Sequence, residues 1–189
     1  FASPRPVPDS GAMDTTSPLP REFFNQPTLT VASTLLGCRL CRSLDGEVLR
    51  YRITETEAYD GPDDLASHAR SGPTPRSAVM FGPAGIWYVY LCYGIHWLLN
   101  IVTGPEAYPA AVLIRGTDTV TGPGRLTRAL AINGELNHRP AIPESALWIE
   151  PGEPVEPSRI ITSPRIGVAY AGPDWSQRPY RFQLSGNVT

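Results

Sequence analysis

The spacing of hydrophobic residues near the start of the chain predicts two short helices. Apolar side chains recur at helical intervals from Arg21 to Leu36, and Pro27 interrupts the run because proline cannot continue a helix. Thr28 is expected to cap the second helix and Gly37 to end it. The folded part of the chain is therefore expected to begin with a broken helical segment.

Alternating and aromatic runs further along predict a mostly antiparallel sheet. Strands over 38–42 and 48–59 flank an Asp-Gly turn, which is a strong signal for a hairpin. The apolar and aromatic run 86–93 returns through Gly94 into 96–103, which predicts a second, protruding hairpin. Three further strands are expected over 110–115, 146–149 and 180–184.

Short helices and irregular structure are expected between these strands. Asp63 or Asp64 is a candidate cap for a short helix that ends at Ala69, and a Gly-Pro-Gly sequence opens a helix over 125–132. Residues 160–171 show no clear period and are expected to be irregular. Together the elements predict one α/β domain of the α+β kind, in which short helices surround a curved sheet.

The composition fits a single domain. The chain has 189 residues, of which 41% are hydrophobic, so it can bury a sizeable core over 19–189. Residues 1–18 hold four prolines and little periodicity, and are expected to form a flexible tail. No apolar run nears the roughly 18 residues of a membrane span, and no signal pattern is seen. A soluble, cytoplasmic protein is therefore expected.

The strand over 48–59 carries an unusual face. Strict alternation places Ile53, Glu55, Glu57 and Tyr59 on one side of it. Two carboxylates and a tyrosine make a poor core face, so this side is a candidate for chemistry. Paired carboxylates can supply an acid and a base for glycoside cleavage, and one carboxylate can activate water to cleave an N-glycosidic bond.

The aromatic hairpin offers a surface for a nucleobase. Tyr88 and Tyr90 share a strand face, and Tyr93 stands at the tip beside Gly94. Tyrosine rings can stack a purine, and a bulky residue at a hairpin tip can enter the gap that a departed base leaves in a duplex. The alternative, core tyrosines with satisfied hydroxyls, fits Tyr88 best.

The charged residues do not exclude a nucleic-acid partner, and the cysteines do not favour a metal. The net charge is −2, but all 16 basic residues are arginine, the better bidentate phosphate ligand, and a local basic face can bind DNA. Cys38 and Cys41 match the C-x-x-C spacing without a second ligand pair for zinc. We expect two ordinary cysteines, no metal and no cofactor.

Several ordered motifs together resemble one family, the alkyladenine (3-methyladenine) DNA glycosylases, also called methylpurine-DNA glycosylases. The longest are ITETEAYDGPDD at 53–64, ASHA at 66–69, TPRSAVMFGP at 74–83 and YVYLCYGIHWLLN at 88–100. Shorter matches are AAVLIR at 110–115, GPGRL at 122–126 and PRIG at 164–167. The resemblance runs from about residue 19 to the end of the chain.

This resemblance implies an enzyme of base excision repair that removes alkylated or deaminated purines from double-stranded DNA without a metal. By motif, Glu57 is the residue that activates water. Tyr59, His68 and Tyr90 are expected to form the walls of the base pocket. The lesions would be of the 3-methyladenine, hypoxanthine and ethenoadenine class.

The remaining roles concern base selection and DNA binding. By resemblance, Asn100 lies under the base, Tyr93 intercalates where the base was, and Arg115 contacts the DNA backbone. Further candidates for backbone contacts are Arg76, His96, Arg125 and Arg165.

Three questions stay open from the sequence. Glu55 could be the base instead of Glu57, or could form an ion pair with an arginine. A non-catalytic module that stacks a flipped base, and a carbohydrate glycosidase, remain alternative functions. Strand cleavage through a Schiff base needs an amine, and because the chain has no lysine we expect a monofunctional enzyme.

Overall fold

An eight-stranded antiparallel sheet organises the protein. The computed structural model describes residues 17–186, so nearly all of the tail predicted over 1–18 lies outside the described residues. The strands are β1 Arg39–Leu44, β2 Glu47–Asp60, β3 Trp87–Cys92, β4 His96–Val102, β5 Ala110–Thr117, β6 Leu147–Glu150, β7 Ile160–Ser163 and β8 Arg181–Leu184. Their order is β3-β4-β5-β2-β1-β6, with β8 paired to β2 and β7 paired to β8.

The sheet is open but strongly curved. β3 and β6 are the first and last strands of the main order, yet the indole Nε1 of Trp87 on β3 donates a hydrogen bond to the carbonyl of Leu147 on β6, at 3.0 Å. The curvature encloses Trp87, whose side chain is fully buried. This confirms the prediction of a curved, mostly antiparallel sheet in one α/β domain.

Within the described part of the chain, four short α-helices surround the sheet. They are α1 Arg21–Phe24, α2 Thr28–Thr34, α3 Pro123–Ala129 and α4 Gly172–Gln177. Helix α2 packs on β2 and β5 and contributes Val31, Ala32 and the following Leu35, all fully buried, to the main core. The hydroxyl of Thr56 on β2 donates to the carbonyl of Ala32 at 2.8 Å, which fixes the helix against the sheet.

Two predicted helix caps are wrong because both side chains have tertiary partners. Pro27 occupies the cap position of α2, and Thr28 is its first residue, whose buried hydroxyl donates to Asp60 at 2.8 Å. Asp64 starts no helix either, since its carboxylate pairs with Arg165, and the nearest helical turn is a 3₁₀ turn at His68–Ser71.

The segment 160–171, predicted to be irregular, contains a strand. Residues 160–163 form β7 and pair with β8, which itself pairs with β2. The burial pattern of β7 has no buried position, so the strand lacks the apolar alternation that would have revealed it. Among residues 17–186, no helix is long and apolar enough to cross a membrane.

A β-bulge changes the predicted faces of β2. The pairing of β2 with β5 shifts register between Ile53 and Glu55 and again between Glu55 and Thr56. Ile53 therefore joins the core cluster together with Ala58, and does not share the face of the two glutamates as strict alternation predicted. Glu55 and Glu57 remain together, because both contact Arg115.

We predict that the fold depends on the α2–sheet contact. Leu35→Ala should lower the free energy of unfolding by about 2–5 kcal/mol, because it leaves a cavity in a fully buried site. Ile161→Ala, at a side chain that is 51% exposed, is the control and should change it by about 0.5 kcal/mol or less. Urea unfolding of both variants measures this, and equal losses would contradict the packing described.

Candidate active site

The candidate site is built around a carboxylate in the middle of the sheet. Glu57 lies on β2 opposite Leu113 of β5 on one side and opposite Arg181 of β8 on the other. A position between two neighbouring strands is shielded from water on both sides, and the side chain of Glu57 is fully buried. Its polar atoms must therefore find partners within the protein.

Three groups contact the Glu57 carboxylate. Oε1 accepts a hydrogen bond from the backbone N–H of Ile166 at 2.8 Å, and Oε2 accepts one from the hydroxyl of Tyr59 at 2.9 Å. The guanidinium Nη1 of Arg115 lies 3.5 Å from Oε1, an ion-pair distance longer than a strong hydrogen bond. The carboxylate is thus held on two sides and faces a cation on a third.

The balance of these effects makes Glu57 a stronger base than an ordinary carboxylate. Burial raises the pKa of Glu57, and this effect outweighs the opposing influence of Arg115, the Ile166 N–H and the Tyr59 hydroxyl. The charge of Glu55 adds to the rise in the pKa. A carboxylate with a raised pKa takes a proton from water more readily.

The neighbouring carboxylate has a different environment. Oε1 of Glu55 accepts from Nε of Arg115 at 2.9 Å and from Nε of Arg181 at 2.7 Å. The side chain is 9% exposed. Two guanidinium groups thus hold Glu55, which confirms the alternative that it forms an ion pair with an arginine, and Arg115 links the two carboxylates.

Beside Glu57 an aromatic cavity continues into a wider cleft. The inner cavity is lined by Tyr59, Ala66, Ser67, His68, Met80, Tyr88, Tyr90, Asn100, Ala111 and Tyr170. The outer cleft shares five of these residues and adds others that include Arg70, Arg76, Tyr93, Arg115 and Ile166. The structure therefore brings the four predicted pocket residues together, and all three groups that contact Glu57 belong to residues of the outer cleft.

Ring contacts define one wall of the cavity. The His68 ring meets the Tyr90 ring edge to face, with centroids 4.6 Å apart, and the Tyr88 and Tyr90 rings lie 5.1 Å apart. Nδ1 of His68 is 2.9 Å from the Tyr88 hydroxyl. The Asn100 amide donates to the carbonyl of Tyr88 at 3.1 Å, which orients this buried amide in the cavity lining.

The surroundings of His68 favour its neutral form. Burial of part of its ring lowers its pKa, and the positive charges of Arg76 and Arg70 lower it further. A neutral imidazole can donate a hydrogen bond from one nitrogen only. His68 is thus suited to orient a base by hydrogen bonding.

Known proteins match nearly the whole described chain. The family model of methylpurine-DNA glycosylase (MPG) matches residues 22–121 and 116–188. The chain belongs to the methylpurine-DNA glycosylase family. Such an enzyme is a DNA-binding hydrolase of N-glycosyl bonds that acts in DNA repair.

Individual relatives agree with the family model. A protein of Anaeromyxobacter dehalogenans (strain 2CP-C) is 50% identical over 178 residues, which cover 90% of this chain and 84% of the relative. A protein of Myxococcus xanthus is 45% identical over 173 residues, covering 87% and 88%. Both carry the provisional name 3-methyladenine DNA glycosylase.

The residues predicted to contact DNA differ in their exposure and in whether they line the cleft. Tyr93 is 91% exposed at the hairpin tip, and Arg76 lies with its guanidinium 5.8 Å from the Tyr90 ring centre. Arg115 belongs to the carboxylate network and is only 12% exposed. His96 and Arg125 are exposed, but neither lines the cleft.

Arg165 has a structural position in this glycosylase. Its side chain is fully buried and pairs with the buried Asp64. A contact with a DNA phosphate would require an exposed guanidinium. The prediction that Arg165 contacts the DNA backbone is therefore wrong, and its role is structural.

Three contributors to the site were missed by sequence reasoning. Tyr170 lines both the cavity and the cleft, and its hydroxyl donates to the carbonyl of Ala66 at 2.8 Å. Arg181 and the backbone N–H of Ile166 complete the carboxylate network. The PRIG match at 164–167 was a signal for this segment, but it does not reveal which atom faces Glu57.

Both cysteines of the C-x-x-C sequence are free and buried. Burial raises the pKa of Cys38 to about 11 and that of Cys41 to about 12, so both thiols stay protonated at neutral pH. Within residues 17–186 there is no group of three or more His, Cys, Asp or Glu side chains that could hold a metal ion.

We predict that Arg115 lowers the pKa of Glu57. In Arg115→Met the pKa of Glu57 should rise further above its ordinary value of 4.5, because a nearby cation is lost while burial remains. NMR titration of the glutamate carboxyl carbons measures it. Arg128→Met, at an exposed arginine of α3, is the control and should leave the titration unchanged; an unchanged or lower pKa in Arg115→Met would contradict the network.

Proposed function

We propose that this glycosylase is monofunctional and flips alkylated or deaminated purines out of double-stranded DNA into the aromatic cavity. One observation carries the proposal: among residues 17–186, the three groups that bind the buried Glu57 carboxylate all belong to residues that line the cleft beside that cavity. Glu57 acts as the base that takes a proton from water, and the product is an abasic site. The enzyme acts as a monomer on DNA in the cytoplasm, at the nucleoid if bacterial.

The chemistry begins with a purine that is held in the cavity. A base alkylated on a ring nitrogen carries positive charge, which the faces of Tyr59 and Tyr90 attract. Its bond to deoxyribose already breaks readily, so the protein needs mainly to hold the nucleotide and to align a water. The ring contact between His68 and Tyr90 has to open if the purine enters between these two side chains.

The attacking water has one favourable place near Glu57. Ile166 and Tyr59 occupy two directions around the carboxylate, whereas the 3.5 Å separation from Arg115 leaves the third without a strong hydrogen bond. Water bound there would donate to Glu57 and give up its proton as it attacks the sugar carbon. Because Glu57 is fully buried, this water enters when Arg115 or Ile166 shifts as the nucleotide binds.

A neutral purine such as hypoxanthine is a harder substrate. It needs a proton or a hydrogen bond as it leaves, and the neutral His68 can supply only a hydrogen bond. Asn100, with its amide fixed on the Tyr88 carbonyl, selects among purines in the cavity. Excision is therefore expected to be faster for cationic than for neutral lesions.

DNA binding is assigned to residues in and around the cleft, all of them exposed except Arg115. Tyr93 fills the space that the flipped base leaves, since an exposed tyrosine at a hairpin tip can insert between base pairs. Arg76 and Arg115 at the cleft, with His96 and Arg125 further out, contact the phosphates.

A second candidate function rests on a specific observation. Full burial of Glu57 also suits a module that stacks a flipped base without hydrolysing it. Cleavage assays separate the two, because the module would bind lesions and leave every base in place. A carbohydrate glycosidase is disfavoured, since both carboxylates lie on one strand and Glu55 is held by two arginines.

We predict that Glu57→Gln abolishes excision. Loss of the base should slow the reaction by about 100-fold or more. Duplexes with a single 3-methyladenine, hypoxanthine or ethenoadenine are incubated with protein, and hot alkali reveals abasic sites. Wild-type activity should also fall as the pH drops through the raised pKa of Glu57, because the protonated carboxyl cannot accept a proton.

Two control variants sharpen this test. Glu150→Gln changes another buried glutamate, on β6, which is two strands away from β2 and lines neither the cavity nor the cleft, and should retain activity. Glu55→Gln should retain part of it, since Glu55 acts through Arg115. If Glu55→Gln were inactive and Glu57→Gln active, the assignment of the base would be wrong.

We predict that Tyr93 matters for duplex DNA in particular. Tyr93→Ala should slow excision from a fully paired duplex by roughly tenfold, and should have less effect on a lesion opposite a mismatch, where less energy is needed for flipping. Tyr93→Phe keeps the ring and should behave like wild type. Equal losses on paired and mismatched duplexes would contradict the role in flipping.

We predict no strand cleavage. Purified protein should leave the abasic strand intact, and borohydride should trap no covalent complex, because the chain has no lysine amine to form a Schiff base. A trapped complex would contradict the monofunctional mechanism.

A further inference from the structure

Two segments meet beneath the cleft and are joined by one buried ion pair. The first, residues 61–71, follows β2 and carries His68; the second, residues 164–171, carries Ile166 and Tyr170. Asp64 of the first segment pairs with Arg165 of the second, and both side chains are fully buried. They are 101 residues apart in the sequence, so this contact ties distant parts of the chain together.

The hydrogen bonds of this pair fix its geometry. Nη1 of Arg165 donates to Oδ2 of Asp64 at 2.5 Å and to the carbonyl of Ala58 at 2.8 Å, while Nη2 donates to Oδ1 of Asp64 at 2.9 Å. The Asp64 carboxylate also accepts from the backbone N–H groups of Asp60 and Ala66, each at 3.0 Å. A two-pronged contact of this kind restricts orientation as well as distance.

The guanidinium also packs against aromatic rings. Its central carbon lies 4.8 Å from the ring centre of Tyr59 and 5.2 Å from that of Tyr180. Tyr59 is the residue whose hydroxyl donates to Glu57. The residue after Arg165 is Ile166, whose N–H donates to the other oxygen of Glu57. Both donors to Glu57 are therefore next to Arg165: Ile166 follows it in the chain, and the Tyr59 ring packs against its guanidinium.

We infer that Asp64 and Arg165 are the positioning residues of the active site: they hold the Tyr59 hydroxyl and the Ile166 N–H in place against Glu57. This inference rests on the proposed function, in which Glu57 activates water. Neither residue lines the cavity or the cleft, so neither touches the substrate. They act through the two donors that fix the carboxylate.

A gain in stability is a weak reason for such a pair. A buried ion pair is often no better for stability than well-packed apolar residues, because both charges lose their hydration. Its distinctive contribution is orientation, since the planar guanidinium can bind the carboxylate with two nitrogens and stack on a ring at the same time. Lysine has the charge without the planar fork, so Arg165→Lys separates charge from geometry.

The experiment compares Arg165→Lys with Arg50→Lys. Arg50 also contacts a carboxylate whose side chain is nearly fully buried, that of Glu150, and this pair lies outside the cavity and the cleft. Single-turnover excision of hypoxanthine from a duplex is followed as a function of pH. We expect Arg165→Lys to slow excision by roughly 10- to 100-fold, since a displacement of about 1 Å can cost on the order of 100-fold.

The pH profile gives a reading that a merely structural role would not change. Both donors lower the pKa of Glu57, so loosening them should move the acidic limb of the profile to higher pH. Arg165→Lys leaves the other charged residues near Glu57 unchanged: Arg115 on β5, which contacts it, Glu55 on β2, and Arg181 on β8, which pairs with Glu55. Arg50→Lys should leave both the excision rate and the acidic limb of the pH profile as in the wild type.

A second measurement needs no activity. Hydrogen exchange at the amide of Ile166, followed by NMR, should become faster in Arg165→Lys and stay unchanged in Arg50→Lys. If Arg165→Lys does not fold, the pair Asp64→Leu with Arg165→Met removes both charges together and is measured in the same way. An unshifted acidic limb together with unchanged Ile166 exchange, in a folded variant, would overturn the inference.

If the proposed function itself is wrong, the experiments give a different result. A wild type that excises no purine from any of the lesion duplexes refutes that function. Ile166 exchange would then still show whether the ion pair holds this donor against Glu57.

Discussion

Burial of the Glu57 carboxylate is the constraint on which the site depends. A charge taken out of water is stable only if donors surround it, and here the donors come from separate elements: Tyr59 from the same strand, Arg115 from β5 and Ile166 from the segment before α4. The same burial raises the pKa of the carboxyl and so prepares it to accept a proton. Stability and reactivity are therefore set by one arrangement.

The two carboxylates of β2 differ in their surroundings. Glu55 meets two guanidinium groups at 2.9 and 2.7 Å, while Glu57 meets one at 3.5 Å and is shielded from water. Arg115 is shared between them, which couples the position of one charge to that of the other. This division gives Glu55 a task that the sequence left open, and leaves Glu57 as the group with a base-like environment.

The β2 strand serves two purposes because its faces have different neighbours. Thr56 and Ala58 lie toward α2 and the apolar core. On the other face, Tyr59 lines the cavity and donates to Glu57. The bulge near Glu55 brings Ile53 onto the core face, so the strand changes parity just before the site. The helix thus supports the strand from one side, while the Glu57 carboxylate and its partners lie on the other.

The sequence by itself determined the hairpins, the pair of glutamates with Tyr59 on one face and the tyrosine row, since alternation and turn residues act over a few positions. It also carried the family motifs. Only the tertiary structure decided which groups meet Glu57, because the Ile166 N–H lies 109 residues away along the chain. It likewise buried Arg165, which the sequence had placed at the DNA. Such contacts depend on how distant segments pack, and no local pattern encodes that distance.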